Sequence, residues 1–250
     1  MLIKNHVIVN ADDLGLNESV NRAILYCFEK QYINSTSLLT NTGYFDETVN
    51  MIHENDCITG VGIHINFAEG RPVSNFNQHP FLDERGNWNF QKTNKKITVL
   101  DNASKAAFLK EIYAQIDKAL SAKISIIHLD SHFHLHTLPC FYKLFIHTAK
   151  HYKLKLRLSQ TYNEGSYFKF MYRKYINHLI KTNNIQYSDY FETVDRFLKR
   201  EDTFNQNKII EIMIHPNFDA SEKLTDHVDE KTMQNWMIYL DKMAGGLKFQ

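Results

Sequence analysis

The chain is poor in cysteine, and this scarcity limits the kinds of site that it can build. Three cysteines occur among 250 residues, Cys27, Cys57 and Cys140, and no two of them form a Cys-x-x-Cys pair. An odd number without such pairs argues against a disulfide framework and against a zinc ribbon. We expect each cysteine to act as a small buried apolar residue rather than as a nucleophile.

The chain also lacks long apolar runs and an excess of charge of one sign. Its first residues contain no apolar stretch of the kind found in signal peptides, and no run of eighteen apolar residues occurs. The 29 Lys plus Arg nearly balance the 28 Asp plus Glu, so neither nucleic acid nor a membrane is predicted as a partner. We expect a soluble, cytoplasmic protein. One basic run is interpreted as the solvent-facing side of a helix: Lys169, Arg173, Lys174 and Lys181.

Linkers, internal repeats and low-complexity segments are absent, and short apolar runs alternate with helix-like segments along the whole chain. The predicted strands are residues 6–10, 37–40, 61–65, 124–129, 154–158, 209–214 and a short last one at 247–249. The predicted helices are residues 18–30, 45–54, 103–121, 139–152, 166–182 and 230–243. This alternation predicts an α/β fold with a mostly parallel sheet. With seven or eight such units, we expect a distorted TIM-like (β/α) barrel formed by one domain, residues 1–250.

One segment, about residues 68–102, breaks the alternation and reads as a long loop. Loops of this length in a compact domain usually carry function or cover a site. Trp88 and Phe90 lie in it, and each either stacks on a ligand or anchors the loop to the core.

Polar residues follow several of the predicted strands at the point where each strand ends. Asp12 and Asp13 follow the first strand, and His64 and Asn66 end the third. His132 and His215 follow two later strands. Because the carboxyl ends of parallel strands gather at one mouth of an α/β fold, we expect these side chains to lie together. Each motif taken alone is weak, since the aspartates could cap a helix and His64 could be a core histidine.

The segment HLDSHFHLH, residues 128–136, is more specific. Its four histidines and Asp130 share the parity of one strand face, and so many titratable groups on one face are costly unless something binds there. We interpret it as part of a metal site, with some histidines orienting others. A carboxylate and two imidazoles leave coordination positions open for water and substrate and suit zinc, manganese, cobalt, iron or magnesium. The roles of His128, His134 and His136 stay open.

Four sequence blocks together resemble the YdjC-like carbohydrate deacetylases, which include chitooligosaccharide deacetylases. The blocks are VNADDLGLNESVNRAI, GIHINFAEGRPVS, HLDSHFHLH and EIMIHPNFD, in the family's order, from about residue 7 to residue 219. Two positions depart from the family pattern, Leu14 after the aspartate pair and Asn217 after His215-Pro216. Residues 159–206 match poorly, which leaves the identity of the substrate open.

The resemblance implies a distorted (β/α) barrel that removes an N-acetyl group from a small amino sugar and releases acetate. It implies one divalent metal, with Mg²⁺ favoured and Zn²⁺, Mn²⁺ or Co²⁺ as alternatives, held by Asp13, His64 and His132. The resemblance makes Asp12 the catalytic base. We expect His215 to be the general acid, because an amine leaves poorly without a proton. Arg157 and Asn66 are predicted to bind substrate. A homodimer is suggested by family analogy only.

Two other interpretations remain open from the sequence. A metal-dependent phosphoesterase could use the same scaffold, although such enzymes favour two metals and basic residues near the site. A protein that binds a sugar or a metal without catalysis is the other. The presence of both Asp12 and His215 argues against it, because a binding protein needs neither a base nor an acid.

Overall fold

The centre of the molecule is a sheet of seven parallel strands. The computed structural model describes residues 3–95 and 97–246 of the chain. The strands are β1 (Val7–Leu14), β2 (Ser35–Leu38), β3 (Val61–Ile65), β4 (His128–Ser131), β5 (Lys155–Leu156), β6 (Tyr190–Thr193) and β7 (Ile210–Ile214). Their order across the sheet is β5-β4-β3-β2-β1-β7-β6. Every hydrogen-bonded pair is parallel, and β1 lies between β2 and β7.

Eight helices accompany the strands within the described residues. They are α1 (Glu18–Glu29), α2 (Phe45–Glu54), α3 (Phe90–Thr93), α4 (Asn102–Ser121), α5 (Tyr142–Tyr152), α6 (Tyr167–Thr182), α7 (Val194–Arg200) and α8 (Lys231–Gly246). Asn17 caps α1 by accepting a hydrogen bond from the Val20 amide at 3.0 Å, as an Asn before an apolar-periodic segment predicts. Strands covered on both faces are mostly apolar, and β3 (VGIHI) and β7 (IEIMI) follow this pattern except at His64 and Glu211.

The sheet curls but leaves β5 and β6 as its two edges. The edges approach each other through an isolated parallel bridge between Leu156 and Gln186 and through the Thr161 amide, which donates to the Phe191 carbonyl at 3.0 Å. The predicted distorted barrel is therefore confirmed as an open barrel of seven strands. The predicted strand at 247–249 lies outside the described residues.

Several element boundaries differ from the prediction. Residues 124–127 are not in a strand, and β4 begins at His128. The prediction also missed β6, α7 and an antiparallel hairpin formed by β8 (Pro216–Phe218) and β9 (Leu224–Asp226). These elements are short and mix charged with aromatic residues, so hydrophobic periodicity gives little signal for them. The hairpin matters because it follows His215 directly.

Two expectations about individual side chains need correction. Arg173 is not on the solvent-facing side of α6, since only 8% of it is exposed, whereas the three lysines of that run are exposed. All three cysteines are free, and Cys27 is buried as expected, but Cys57 is exposed. In the described part of the chain, none of the helices has the length and apolar character needed to cross a membrane.

Candidate active site

The end of β1 carries two consecutive carboxylates, and an irregularity in the strand lets both serve one site. Asp12 and Asp13 lie within β1, not after it as predicted. The register with β2 shifts between Ala11 and Leu14, and Asp13 has a left-handed backbone with φ of 71°. Successive side chains of a regular strand point to opposite faces, and a bulge re-aims one of them.

Asp13, His64 and His132 bring three potential metal ligands together from three strand ends. Oδ1 of Asp13 lies 3.2 Å from Nε2 of His64 and 2.7 Å from Nδ1 of His132. All three side chains are buried, and the three ligand atoms lie within 4.8 Å of one another. Bonds of about 2.0–2.2 Å from nitrogen and oxygen to one divalent ion would span such a set.

The contacts inside this set fit a metal better than they fit a closed hydrogen-bond network. Oδ1 of Asp13 is close to the rings of His64 and His132 but has no hydrogen-bond partner among the described residues. Nε2 of His132, the ring nitrogen that does not face Asp13, is also buried without a partner. Buried polar atoms without partners are rare and call for an explanation. A metal ion would explain why Oδ1 of Asp13 has no hydrogen-bond partner, because the lone pairs of the three ligand atoms would point at the ion and not at a shared proton.

Asp130 fixes the orientation of His64. Its Oδ1 accepts a hydrogen bond from Nδ1 of His64 at 2.7 Å, so that Nε2 faces Asp13. Such a carboxylate behind a ligand histidine sets the tautomer and makes the imidazole more basic. Burial alone would lower the pKa of His64, but the contacts with Asp130 and Asp13 raise it to about 10. The surroundings of this ring therefore favour a positive charge.

The net charge of the buried carboxylates and Arg157 also favours a bound cation. Three buried carboxylates, those of Asp12, Asp130 and Glu211, contact the guanidinium of Arg157, and the carboxylate of Asp13 is buried in the same cluster. Burial raises the pKa of Glu211 to about 7 in spite of Arg157, so this carboxyl is partly protonated near neutral pH. The remaining excess of negative charge is costly in a buried site unless a cation offsets it.

Arg157 is buried among three carboxylates. Its side chain is 0% exposed. Both terminal nitrogens donate to Asp12 at 2.7 Å, Nη1 also lies 2.8 Å from Asp130, and Nε donates to Glu211 at 2.6 Å. These three carboxylates occupy the guanidinium in the described structure, and the expected contact of Arg157 with substrate stays a prediction. Burial raises the pKa of Asp12, but Arg157 and His64 together outweigh burial and lower it overall, so Asp12 stays ionised.

A second distance-compatible group, formed by Asp12, His64 and Asp130, is a weaker candidate for a metal. Arg157 already donates to Asp12 and lies 2.8 Å from Asp130. A guanidinium in that position neutralises both carboxylates and takes the place that a cation would need.

His215 lies on the other side of Asp12, beside the hairpin that follows β7. Its Nε2 is 4.0 Å from Oδ2 of Asp12, and its Nδ1 is 3.6 Å from Oδ1 of Asp226. The backbone amide of His215 also donates to Asp226 at 2.7 Å. Burial lowers the pKa of His215, but Asp226 and Asp12 outweigh burial and raise it. A histidine with a raised pKa carries a proton that it can donate near neutral pH.

Two residues of the site were missed by sequence reasoning. Nε2 of His227 lies 3.1 Å from Oδ2 of Asp13, and Asp226 contacts His215. Both residues belong to the unpredicted hairpin and its exit, in the polar run LTDHVDE. The run carries no periodicity, so nothing in the sequence marks these residues as neighbours of Asp13 and His215.

The histidine-rich segment does not continue as a strand. β4 ends at Ser131, and His132–Thr137 forms a 3₁₀-like turn in which Phe133 and His134 have left-handed backbones with φ of 53° and 54°. The predicted single strand face is therefore wrong beyond Ser131. His136 turns away from the metal candidates and contacts Ser131 Oγ through Nδ1 at 2.8 Å.

His128 also lies apart from the metal candidates. Its ring stacks on Tyr187 at 4.1 Å, and a Cβ at Gly62 would lie 2.2 Å from that ring, so β3 needs glycine there. Burial lowers the pKa of His128 to about 4 and that of His134 to about 3. Both rings are therefore neutral near neutral pH.

The long segment between β3 and α4 is tied to the core at several points. Trp88 is 4% exposed and packs against Phe67, Phe76 and Phe108, so it anchors the loop. The Asn66 side chain accepts from the amides of residues 68 and 69 and donates to Asn41. Its polar atoms thus shape the loop, and the expected contact of Asn66 with substrate stays a prediction.

Phe90 lies nearer the site than Trp88. Its ring packs on Phe133 at 4.4 Å, and Phe133, which is half exposed, packs on the ring of His132 at 4.2 Å. This part of the long segment therefore reaches the edge of the candidate metal site.

Comparisons with known proteins agree with the resemblance of the four sequence blocks. The chain is 29% identical over 225 residues to a carbohydrate deacetylase of Clostridium beijerinckii, covering 88% of this chain and 84% of that protein. It is 28% identical over 217 residues to a carbohydrate deacetylase of Vibrio parahaemolyticus, covering 85% and 78%. A match to a carbohydrate deacetylase of Thermoanaerobacter pseudethanolicus reaches 34% identity over 61% of this chain and 59% of that protein.

A solved structure supports the fold. A crystal structure of an Enterococcus faecalis protein named for cellobiose-phosphate cleavage matches with a TM-score of 0.74, covering 97% of this chain and 93% of that chain. The sequence identity is 18%, so this likeness concerns the fold alone. The model of the family described as YdjC-like protein matches residues 6–242, and the chain therefore belongs to the YdjC-like protein family.

Proposed function

We propose that the protein is a metal-dependent carbohydrate deacetylase that removes an N-acetyl group from a small amino sugar or chitooligosaccharide and releases acetate. The observation that carries the proposal is the convergence of Asp13, His64 and His132, with Asp12 on one side and His215 beyond it. This constellation provides three potential metal ligands, a base and an acid. Relatives that match most of the chain are named carbohydrate deacetylase.

One divalent ion would be held by Asp13, His64 and His132. When bound, it supplies a Lewis acid that polarises the acetyl carbonyl and acidifies water. Family resemblance favours Mg²⁺, whereas a donor set of two imidazole nitrogens and one carboxylate is better suited to Zn²⁺, Mn²⁺ or Co²⁺, because Mg²⁺ prefers oxygen ligands.

Asp12 is the proposed base. Arg157 holds both of its oxygens, which fixes the carboxylate in place and keeps it ionised. The lowered pKa makes Asp12 a weaker proton acceptor, but it also keeps the carboxylate fully ionised and therefore able to accept a proton. Arg157 supports Asp12 and Asn66 supports the long loop, and the contact of either residue with substrate stays a prediction.

His215 is the proposed acid. An amine leaves poorly without a proton, and a histidine held protonated by Asp226 can supply one. Nδ1 of His215 lies 3.6 Å from Asp226, and Nε2 lies 4.0 Å from Asp12. The sugar that carries the leaving amine would then lie on the His215 side of the site.

The test is acetate release from N-acetylglucosamine, diacetylchitobiose and a chitotriose by metal-loaded protein, with an EDTA-treated sample as control. We expect metal-dependent release from at least one of them. Release that survives complete metal removal would overturn the metal dependence. No release, together with cleavage of a generic phosphate ester, would favour the phosphoesterase interpretation.

Two variants separate the proposed roles. We expect Asp13→Ala to lose metal and activity together, and Asp12→Asn to retain bound metal while kcat falls at least a hundredfold, as is usual for loss of a general base. Metal content by mass spectrometry and acetate release measure the two properties. Wild-type turnover by Asp12→Asn would remove Asp12 from the role of base.

A further inference from the structure

A cavity of about 240 Å³ opens beside His215, the proposed acid. His215 and Asp226 form one wall, and Tyr162 and Arg196 form another. Three further acids, Glu164, Asp195 and Asp229, also line it. The cavity joins the proposed acid to residues 159–206, the part of the chain in which the sequence blocks of the family are not found.

Arg196 has donors to spare in this cavity. It is half-buried, and its guanidinium lies over the ring of Tyr162 at 5.1 Å, which restricts its orientation. Within the described residues, it has no carboxylate oxygen within 4.0 Å. Two of the acids in the cavity wall have other partners, since Glu164 lies 3.5 Å from Lys169 and Arg173, and Asp195 lies 3.3 Å from Lys199. A guanidinium held by stacking and left without an acid is ready to bind a ligand.

The mixed charge of the walls selects the class of ligand. A phosphate or carboxylate would meet Glu164, Asp195, Asp226 and Asp229, and an organic cation would meet Arg196. A neutral polyol suits both, because each hydroxyl can donate to a carboxylate and accept from a guanidinium. The volume is below the roughly 300–1,000 Å³ of pockets that enclose a drug-sized ligand, so it suits a single sugar ring.

The position of the cavity beside His215 indicates which sugar ring of the substrate would occupy it. The acetyl carbonyl must lie at the metal ligands and Asp12, and the leaving nitrogen must lie at His215. The ring bonded to that nitrogen is then directed past His215, into the cavity. We propose that this cavity is the subsite for the sugar ring whose amine leaves, and that Arg196 is a specificity-determining residue that donates hydrogen bonds to its hydroxyls.

The inference rests on the proposed function, and its test compares N-acetylglucosamine with its 3-, 4- and 6-deoxy analogues. We expect wild-type kcat/KM to fall about tenfold to a hundredfold for at least one analogue, as for loss of a hydrogen bond to a charged group. R196Q should lower kcat/KM for the parent sugar by a similar factor and should no longer discriminate against that analogue. R196K, which keeps the charge but loses the planar fork, should restore part of the discrimination.

Arg200 provides a matched control. It lies one turn further along α7 and stacks on Phe204 at 5.2 Å, outside the cavity walls. R200Q should keep the wild-type pattern of discrimination. A wild-type pattern in R196Q, or an equal fall for the parent sugar and every analogue with discrimination intact, would overturn the subsite.

Failure of the proposed function is a different result. It would show as no acetate release by the wild-type protein from any sugar. Calorimetric titration with N-acetylglucosamine then still tests the subsite. Binding that R196Q weakens tenfold and R200Q leaves unchanged would support it, and equal binding by all three proteins, or no binding, would overturn it.

Discussion

Asp130 shows how a single buried carboxylate can organise a site that it need not enter. Its oxygens contact Nδ1 of His64, Nη1 of Arg157 and Oγ of Ser37, all within 2.8 Å. Burial raises the pKa of Asp130, but Arg157 and His64 outweigh burial and lower it. Through these contacts one residue orients both a proposed metal ligand and the arginine that holds the proposed base.

We therefore expect Asp130→Asn to weaken metal binding by about tenfold to a hundredfold, the usual effect of losing the partner of a ligand histidine. The shape is preserved, but an amide accepts the His64 proton more weakly than a carboxylate does. Titration against a competing chelator measures the effect. Asp226→Asn is the control, since Asp226 supports His215 and should change turnover more than metal affinity. Unchanged affinity in Asp130→Asn would contradict the assigned role.

The individual site residues were partly predictable. Asp13, His64 and His132 could be proposed because each follows or ends an apolar run, and the topology of a parallel sheet brings such positions together. The burial of Arg157 could not be predicted from the sequence. Its partner Asp12 lies 145 residues away, and a lone arginine in KLRLS gives no sign of an ion pair. His227 lies outside the four sequence blocks, and only the fold shows that its side chain contacts Asp13.

Among the elements, several helices end without the glycine that such ends favour. Gln31, Lys123 and Lys153 follow α1, α4 and α5 with φ of 59°, 60° and 57°. In α5, the Lys153 amide donates to the carbonyls of Ala149 and Lys150, which is the usual bonding at a left-handed helix end. A residue with a Cβ pays about 1–2 kcal/mol for that conformation.

Lys153→Gly should consequently raise the free energy of unfolding by about 0.5–1 kcal/mol, because relief of this strain exceeds the entropy cost of glycine in the unfolded chain. Urea denaturation measures the change. His147→Gly, at an exposed position inside α5, should lower stability by a similar amount. A loss of stability in Lys153→Gly would show that its side chain makes a contribution larger than the strain.

The long loop depends on one buried side chain of α4. Glu111 is 0% exposed and accepts from the amides of Val73 and Ser74 at 2.9 and 2.7 Å. Glu111→Gln should cost about 1–3 kcal/mol of stability, since the new amide group faces a donor that it cannot accept from. Limited proteolysis should then cut residues 68–101 faster than in the wild-type protein. Equal cleavage rates would mean that the aromatic contacts of Trp88 alone hold the loop.

The elements show where periodicity succeeds and where it fails. Residues 61–65 and 45–54 were predicted with the observed bounds because buried faces dictate the pattern. HLDSHFHLH failed because Phe133 and His134 take left-handed backbones that sequence assigns mainly to glycine and asparagine. The contacts on both sides of this turn, His132 at the site and His136 at Ser131, impose the conformation.

At the scale of the whole molecule, buried neutral histidines make stability depend on pH. Burial lowers the pKa of His128 to about 4 and that of His136 well below its ordinary value. The unfolded chain protonates these rings near pH 6.5. Below that pH the unfolded state binds more protons than the folded state, so stability falls as pH falls. Glu211, with a raised pKa of about 7, opposes part of this effect.

The contribution of His136 to the pH dependence of stability can be measured by comparing a variant with the wild-type protein. His136→Gln should lower the slope of unfolding free energy against pH by roughly 1.4 kcal/mol per pH unit between pH 6 and 5, the amount for one proton. Urea denaturation at several pH values gives both slopes. His178→Gln, at an exposed position on α6, should leave the slope as in the wild-type protein. An unchanged slope in His136→Gln would mean that His136 is protonated in the folded state.

The place of β1 in the sheet bears on how the chain folds as it is synthesised. β1 leaves the ribosome before the other strands of the sheet, but one of its two neighbours, β7, follows about 200 residues later, which is roughly 10–40 s at ordinary translation rates. During that interval β1 can pair with β2 while its other edge stays open to wrong partners. Nascent chains stalled before Ile210 should therefore recruit chaperones strongly, and chains released beyond β9 should not.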